Sequence, residues 1–142
     1  MFRMYSKGCE YAIRALIELG LAPKGGFLTA REICQRAKLP EPFARKAFQL
    51  LSNKALLNTV TGPKGGYRLA RSAHKISLRA IIEAADSDPG MDRCVMGLPF
   101  CQNESPCALH NWWVKTKESL IPQLNKMTLG ELLVLEKKRR KA

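Results

Sequence analysis

The feature that most constrains this chain is a stretch over residues 87–107 that holds three cysteines among glycines and prolines. Cys94, Cys101 and Cys107 follow one another at the spacing C-x6-C-x5-C. Proline lacks the amide that regular helices and strands use, and glycine weakens both kinds of element. The stretch is therefore predicted to be a loop that can turn its thiolates toward one centre.

The residue types in this loop indicate a metal site. Soft thiolates together with an imidazole suit iron–sulfur clusters or zinc. His110 follows Cys107 by three positions, so both side chains can lie on one side of a first helical turn. Zinc is the inorganic alternative, although structural zinc sites usually have closer cysteine pairs. A redox switch made of thiols alone is the second alternative, and cysteines that only pack are disfavoured by the glycines and prolines around them.

The charge of the chain points to a polyanionic partner. The chain has 24 basic and 12 acidic residues, a net charge of +12. Residues 1–86 carry 15 of the basic and 6 of the acidic side chains, a net of +9. Such an excess is typical of proteins that bind nucleic acid, so the DNA-binding face is predicted to lie in this first part.

Other broad classes are disfavoured by the composition. Five cysteines are an odd number, and the apolar run near the N-terminus is interrupted by Arg14 and Glu18, unlike a secretory signal. We therefore expect a cytoplasmic protein rather than a secreted disulfide scaffold. No stretch reaches the roughly 18 apolar residues of a membrane span. No constellation of acid, base and nucleophile is evident, so neither an enzyme nor a small-molecule substrate is expected.

The first half of the chain predicts a helix-turn-helix. A first helix begins at the cap Ser6, and a second begins at Thr29 with Glu32 three residues later, a capping box. The second helix ends before Pro40, and a third covers about residues 41–55 with an apolar face and a basic face. Two such helices joined by a short turn form the pattern whose second helix enters the major groove of DNA.

A predicted β-hairpin follows and gives the pattern a wing. Residues 57–61 and 67–71 read as strands, with a glycine-rich turn between them, where Gly65 and Gly66 can adopt positive φ. The alternative is a solvated hairpin with ordinary surface lysines. The predicted DNA contacts are Phe43, Arg45, Lys46 and Gln49 of the third helix and Lys64, Gly65, Tyr67 and Arg68 of the wing.

The second half predicts a dimerisation helix. Ser77 caps a fourth helix, and a long helix from residue 108 carries Trp112 and Trp113 among other apolar side chains. Its apolar face is predicted to pack partly on the first helix and partly on a second copy of the chain, because nothing else obviously covers it. Pro122 is expected to kink or break this helix.

The remaining features receive simpler interpretations. A last helix is predicted over residues 128–137, followed by a frayed basic tail at 137–141. Cys9 and Cys34 lie on helical faces and are interpreted as small buried hydrophobic residues, and His74 as a surface residue. The predicted fold is mainly α with a small β-hairpin. A winged helix-turn-helix DNA-binding domain covers residues 1–86, a cysteine-rich cluster-binding loop 87–107, and a dimerisation helix with a C-terminal helix 108–142.

Four stretches carry a resemblance to the Rrf2 family of bacterial transcription regulators. They are Ser6-Lys7-Gly8 with Tyr11-Ala12, the wing sequence of residues 62–69, the three-cysteine loop, and Thr128-Leu129-Gly130-Glu131-Leu132. The resemblance implies a homodimeric winged-helix repressor or activator with one iron–sulfur cluster per subunit. A symmetric dimer implies double-stranded DNA with a near-palindromic operator as its partner.

The resemblance also suggests two candidates for the fourth cluster ligand. A histidine at the spacing of His110 marks family members with a 2Fe-2S cluster, and Glu10 aligns with an acidic position that completes the cluster from the partner subunit. We favour His110 because imidazole is the softer ligand, and the resemblance then implies a 2Fe-2S rather than a 4Fe-4S cluster. Thr61 and Arg45 replace an arginine and a glutamate that many relatives use on DNA, so the operator cannot be transferred. The alternative function is a zinc- or thiol-controlled winged-helix protein or adaptor without a cluster.

Overall fold

Helices dominate the computed structural model, which describes residues 4–23, 27–63, 65–86, 94–98, 104 and 106–142. A single antiparallel hairpin accompanies them in the described part, confirming the predicted fold class. The elements are α1 (Lys7–Leu21), α2 (Ala30–Ala37), α3 (Glu41–Asn53), β1 (Leu57–Val60), β2 (Gly66–Leu69), a 3₁₀ helix (Ala73–Lys75), α4 (Leu78–Ala85), α5 (His110–Lys126) and α6 (Leu129–Lys141).

Hydroxyl caps begin four of the helices. The side chains of Ser6, Thr29, Ser77 and Thr128 each accept a hydrogen bond from the backbone amide three residues later, at 3.0–3.2 Å. Each such cap contributes about 1 kcal/mol of stability. The predicted caps at Ser6, Thr29 and Ser77 are thereby confirmed, and they fix where α1, α2 and α4 begin.

Helix α1 lies at the centre of the core. Its inner face carries small residues such as Ala12 and Ala15, which are fully buried and let neighbouring helices approach closely. α2, α3, α4 and α6 all pack against it. Leu16 of α1, Phe48 of α3 and Ile81 of α4 are fully buried members of the same hydrophobic core. A displacement of α1 would therefore reach both helices of the helix-turn-helix.

The wing is a two-stranded hairpin that is tied to the chain before α2. Leu57 pairs with Leu69, and Val60 pairs with Gly66. The backbone of Leu28 exchanges two hydrogen bonds with Tyr67, at 3.0 and 2.8 Å, and so anchors the return strand. Both strands end short of the predicted residues 61 and 71.

The wing glycines have roles that differ from the prediction. Positive φ occurs at Gly62, at 103°, and not at Gly65 or Gly66. A Cβ on Gly66 would lie 2.6 Å from the carbonyl oxygen of Leu28, so glycine is needed there for close backbone contact. The expectation of positive φ at Gly65 and Gly66 was wrong because the turn takes its left-handed step at Gly62.

Pro122 was predicted to kink or break helix α5, and the break does not occur, because the helix continues through this residue. The amide that proline lacks would have bonded to the carbonyl of Glu118, and both residues are exposed, so water can satisfy that carbonyl. The helix packs against α4, and its buried residues include Trp113 and Leu124. Within the described residues, no helix is both long and apolar enough to span a bilayer.

Helix α6 includes the basic residues that were predicted to fray. The helix extends to Lys141, and Arg140 is bonded to the buried Glu18 of α1 and, at 3.0 Å, to Glu136. Arg139 also binds Glu136. The frayed-tail prediction was wrong because these ion pairs hold the last turns, and positive charge at a helix C-terminus is favourable.

Candidate metal-binding loop and DNA-binding surface

Two of the three loop cysteines contact one another. The thiol of Cys107 shares a hydrogen bond with the sulfur of Cys94. Cys94 is 7% exposed and Cys107 is half-buried, and neither belongs to a disulfide. Cys101 lies outside the described residues. The outer two members of the triplet are therefore in contact, and the predicted convergence of all three thiols stays a prediction.

The surroundings of Cys94 favour its thiolate. Burial acts to raise the pKa of this thiol, but hydrogen bonds from the amides of Met96, Leu98 and Gly97 and from Cys107 outweigh it and lower the pKa overall. Gly97 adopts positive φ, at 88°, and its amide also bonds to the carbonyl of Cys94 at 3.0 Å. The turn thus gathers backbone donors around one sulfur, the arrangement that a metal-binding thiolate requires.

His110 follows one of these two thiols, Cys107, by three residues. It is the first residue of α5, is 6% exposed, and donates its backbone amide to the carbonyl of Cys107 at 3.1 Å. Glu10, the other candidate ligand, lies in the first turn of α1 and forms an ion pair with Lys7 at 2.8 Å. Among the described residues, no three histidine, cysteine or acidic side chains form a ready metal site.

The donor chemistry of the loop fits a soft metal centre. Two contacting thiols, one of them with a lowered pKa, and a buried imidazole three residues along the chain from Cys107 are ligand types that iron–sulfur clusters accept. The third thiol of the sequence triplet, Cys101, lies between them in the chain. The residues present are therefore compatible with a cluster.

The two remaining cysteines are packing residues, as predicted. Cys9 is fully buried, and Cys34 is 6% exposed. Burial, with the nearby Asp86 carboxylate, raises the pKa of Cys9 to about 12. Burial and then the charge of Glu41 raise the pKa of Cys34. Both thiols remain protonated at neutral pH.

A hydrogen-bonded link joins the loop to α1. Asp86, the C-cap of α4, directly precedes the cysteine stretch, and its carboxylate accepts the Ser6 backbone amide at 3.0 Å and the Ser6 hydroxyl. The same hydroxyl accepts the amide of Cys9 to cap α1. Sequence reasoning identified Ser6 as a cap and missed Asp86, because 80 residues separate the two and no local pattern connects them.

A second link joins α1 to the helix-turn-helix. The guanidinium of Arg14 donates to the carbonyl oxygens of Ala37 and Lys38, the latter at 3.3 Å. Lys38 is the left-handed residue that ends α2, with φ at 56°. Arg14 therefore holds the turn that sets the angle between α2 and α3.

The outer face of α3 presents the four predicted DNA-contacting residues. Arg45, Lys46 and Gln49 are exposed, and Phe43 is 67% exposed. The Arg45 guanidinium forms an ion pair with Glu41 one turn earlier, at 2.7 Å, and this hydrogen bond raises the pKa of Arg45. Glu41 was not among the predicted site residues, although its i, i+4 spacing from Arg45 is the signal for such a pair.

The wing residues that were predicted to contact DNA differ in how exposed they are. Arg68 is exposed and its guanidinium lies 4.9 Å from the centre of the Phe27 ring. Tyr67 is half-buried and its ring packs on Phe48 at 5.0 Å, so it faces the core more than the surroundings. Gly65 is half-buried at the turn, and Lys64 lies outside the described residues.

A helix-turn-helix with a basic outer helix, followed by a wing, is the architecture of a DNA-binding transcriptional regulator and not of an enzyme. The family model described as Rrf2, iron-dependent transcriptional regulator, matches residues 5–134. Because this match spans most of the chain, the protein belongs to the Rrf2 family.

Similar proteins support the same assignment. The transcriptional regulator IscR of Klebsiella pneumoniae is 33% identical over 131 residues, which cover 92% of this chain and 79% of that protein. IscR of Escherichia coli K12 is 32% identical over the same length, covering 92% and 80%. The solved structure of T. potens IscR is 25% identical with a TM-score of 0.75, covering 96% of this chain and 90% of that one. This chain is thus an IscR-like transcriptional regulator.

The fold is also shared with another group of regulators. The structure of CymR, the global cysteine regulator of B. subtilis, has a TM-score of 0.76 at 22% identity, covering 95% of this chain and 98% of that one. An oxidized form of Staphylococcus aureus CymR has a TM-score of 0.71 at 22% identity, covering 93% and 96%. At this identity the similarity establishes the fold alone.

Proposed function

We propose that this protein is a cytoplasmic, homodimeric transcription regulator whose affinity for operator DNA is controlled by an iron–sulfur cluster. The observation that carries the proposal is the contact between Cys94 and Cys107, with the buried His110 three residues beyond Cys107 in the chain. The similarity to IscR over nearly the whole chain supports it. Cys94, Cys101 and Cys107 would hold the cluster, which supplies a centre that responds to redox state, nitric oxide or iron supply.

His110 is the proposed fourth ligand, with a 2Fe-2S cluster favoured over 4Fe-4S. Its backbone bond to Cys107 keeps the imidazole in the turn that carries a ligand thiol. Glu10 is the second candidate, from the partner subunit. To serve as a ligand it would have to give up its ion pair with Lys7, which makes it the less favourable choice.

The proposed signal path runs from the loop through α1 to DNA. Ordering of the loop by a cluster acts on Asp86 at its root, and Asp86 is bonded to Ser6 at the start of α1. Helix α1 in turn holds the α2–α3 turn through Arg14. A coupling of about 1–3 kcal/mol between cluster and operator would change DNA affinity roughly 5–150-fold.

The proposed dimer forms through α5, in keeping with a division into residues 1–86, 87–107 and 108–142. Trp112 is 58% exposed and Leu109 is 43% exposed, whereas Trp113 is turned inward. Large apolar side chains at this exposure fit a surface that a second copy covers. Twofold symmetry would then place two α3 helices on a near-palindromic operator, with half-sites about one or two turns apart.

A thiol-controlled regulator is the second candidate, and one observation favours it. Cys94 and Cys107 already contact each other, and the lowered pKa of Cys94 favours the attacking thiolate. A disulfide between them would release two protons and two electrons to an oxidant such as a peroxide or another disulfide. Zinc in place of a cluster would leave the same residues bound but colourless.

Anaerobic purification separates these possibilities. The cluster proposal predicts a brown protein with iron and sulfide in equal amounts, whose operator affinity changes when the cluster is removed. A colourless protein with bound zinc, or one whose DNA affinity follows only the count of free thiols, would contradict the cluster proposal. DNA binding itself is measured in the same samples by selection from random duplexes.

A further inference from the structure

We infer that Phe43 is a specificity-determining residue that reads the 5-methyl group of a thymine in the major groove. The inference rests on the proposed function, in which α3 enters that groove. It goes further by naming the chemical group that is recognised. The sequence analysis predicted that Phe43 contacts DNA but assigned it no role.

Phe43 is more exposed than any other large hydrophobic residue in the described part of the chain, at 67%. Within those residues, no aromatic ring or cation packs on it. The core beneath α3 is already filled by its neighbours Ala44, Ala47 and Phe48, all of them buried. Phe43 therefore contributes little to folding and is available to a partner.

The place of Phe43 in α3 selects DNA as that partner. It is the third residue of the helix, and the first residues of a recognition helix are those that contact base edges. Lys46 lies one turn later on the same face and is exposed, so a phosphate could be bound beside the ring. The cations of this surface can bind the phosphates that line a DNA groove, and its apolar ring can contact an apolar group on a base edge. In the major groove that group is the thymine methyl.

Because Arg45 forms an ion pair with Glu41, an apolar side chain that contacts bases is more important on this face of α3. The Nε and Nη2 groups of Arg45 both donate to one carboxylate oxygen of Glu41, at 3.2 and 2.7 Å. Two of the five N–H donors of Arg45 are therefore engaged by Glu41, so a contact of the whole guanidinium with DNA competes with this ion pair. Phe43 needs no such pair to be broken before it meets a base.

The test combines removal of the methyl group with removal of the ring. An operator is first selected from random duplexes with the unaltered protein, and each of its thymines is then replaced by uracil, which lacks only the 5-methyl. At one thymine in each half-site, uracil should weaken binding by about fourfold, the factor that corresponds to about 0.8 kcal/mol per buried methyl-sized group. With Phe43→Ala, the same uracil should change binding by less than about 1.5-fold.

Control variants distinguish a failure of the role assigned to Phe43 from a failure of the proposed function. Leu135→Ala removes a similarly exposed apolar side chain, 57% exposed on α6, and should keep the full uracil effect. Phe43→Leu, which retains an apolar contact, should recover part of it. An unaltered protein that selects no sequence would contradict the proposed function. A sequence-selective protein that is indifferent to every uracil, or equally sensitive with and without Phe43, would overturn this inference alone.

Discussion

Ser6 and Asp86 are 80 residues apart in the chain, and two hydrogen bonds join them across the fold. Ser6 begins α1, and Asp86 ends α4 where the cysteine stretch begins. One serine hydroxyl thus caps α1 by accepting from Cys9 and donates to the carboxylate at the root of the loop. This junction is where a change in the loop can first reach the helix that organises the DNA-binding domain.

Replacing Asp86 tests this junction. In Asp86→Ala the link to α1 is lost, while Ser6 keeps its capping bond to Cys9. We expect normal iron content, because Asp86 is not a proposed ligand, and a response of operator affinity to cluster removal below about threefold, compared with 5–150-fold for a coupled pair of sites. Fluorescence anisotropy with labelled operator, under anaerobic conditions, measures both states.

Ser77→Ala is the matched control, since it removes a cap of similar geometry on α4 without touching α1. It should lower stability by about 1 kcal/mol and leave the response to the cluster intact. An undiminished response in Asp86→Ala would show that the signal takes another route.

Chemical labelling distinguishes the loop cysteines from the buried ones. With its pKa raised to about 12 from an ordinary value of 9, Cys9 has about a thousandfold less thiolate than an unperturbed thiol. Cys94, whose pKa is lowered, should be alkylated by iodoacetamide at pH 8 well before Cys9 in reduced, metal-free protein. Mass spectrometry of peptides gives each rate.

Unfolding in urea is the control for labelling, because it should equalise the rates of all five cysteines. Equal rates for Cys9 and Cys94 in the folded protein would mean that the environments described for the two sulfurs do not persist in solution.

The sequence predicted the local elements well, because caps and helical periodicity are local signals. Ser6, Thr29 and Ser77 begin helices as expected. The three loop cysteines and His110 could be recognised as candidate metal ligands from their spacing alone. The junction between Ser6 and Asp86 was not predictable, because it depends on how α1 and α4 pack. The basic end of α6 was misjudged for the same reason: its partner Glu18 lies in α1, far away in the sequence.

Acid stability should depend on Glu136. Hydrogen bonds from Arg139 and then Arg140 lower the pKa of this carboxyl to about 2 from an ordinary 4.5. A depressed pKa in the folded state contributes stability that is complete above pH 4.5 and is lost as pH falls toward 2. Glu136→Gln should therefore reduce the loss of unfolding free energy between pH 6 and pH 3, measured with urea.

Glu131→Gln serves as the comparison for acid stability, since it removes a carboxylate from the same helix without touching the Arg139 and Arg140 contacts. If both variants lose stability with acid as steeply as the unaltered protein, the ion pairs at the end of α6 carry no net stabilisation.

The fourth ligand can be assigned by two variants. His110→Ala should shift the visible spectrum or release the cluster, whereas Glu10→Ala should leave it intact. A histidine-ligated cluster should also become more labile as pH falls, because protonation of the imidazole competes with metal binding. The reverse result would place a carboxylate from the partner subunit in the site, and unchanged spectra in both variants would exclude both residues.

The most direct test of the account is the operator affinity of one anaerobic preparation before and after its cluster is removed. We predict a visible iron–sulfur spectrum that requires Cys94, Cys101 and Cys107 but neither Cys9 nor Cys34. We further predict an affinity change of roughly 5–150-fold between the two states. A preparation that binds its operator equally well with and without iron, or that never holds iron under anaerobic conditions, would contradict the account.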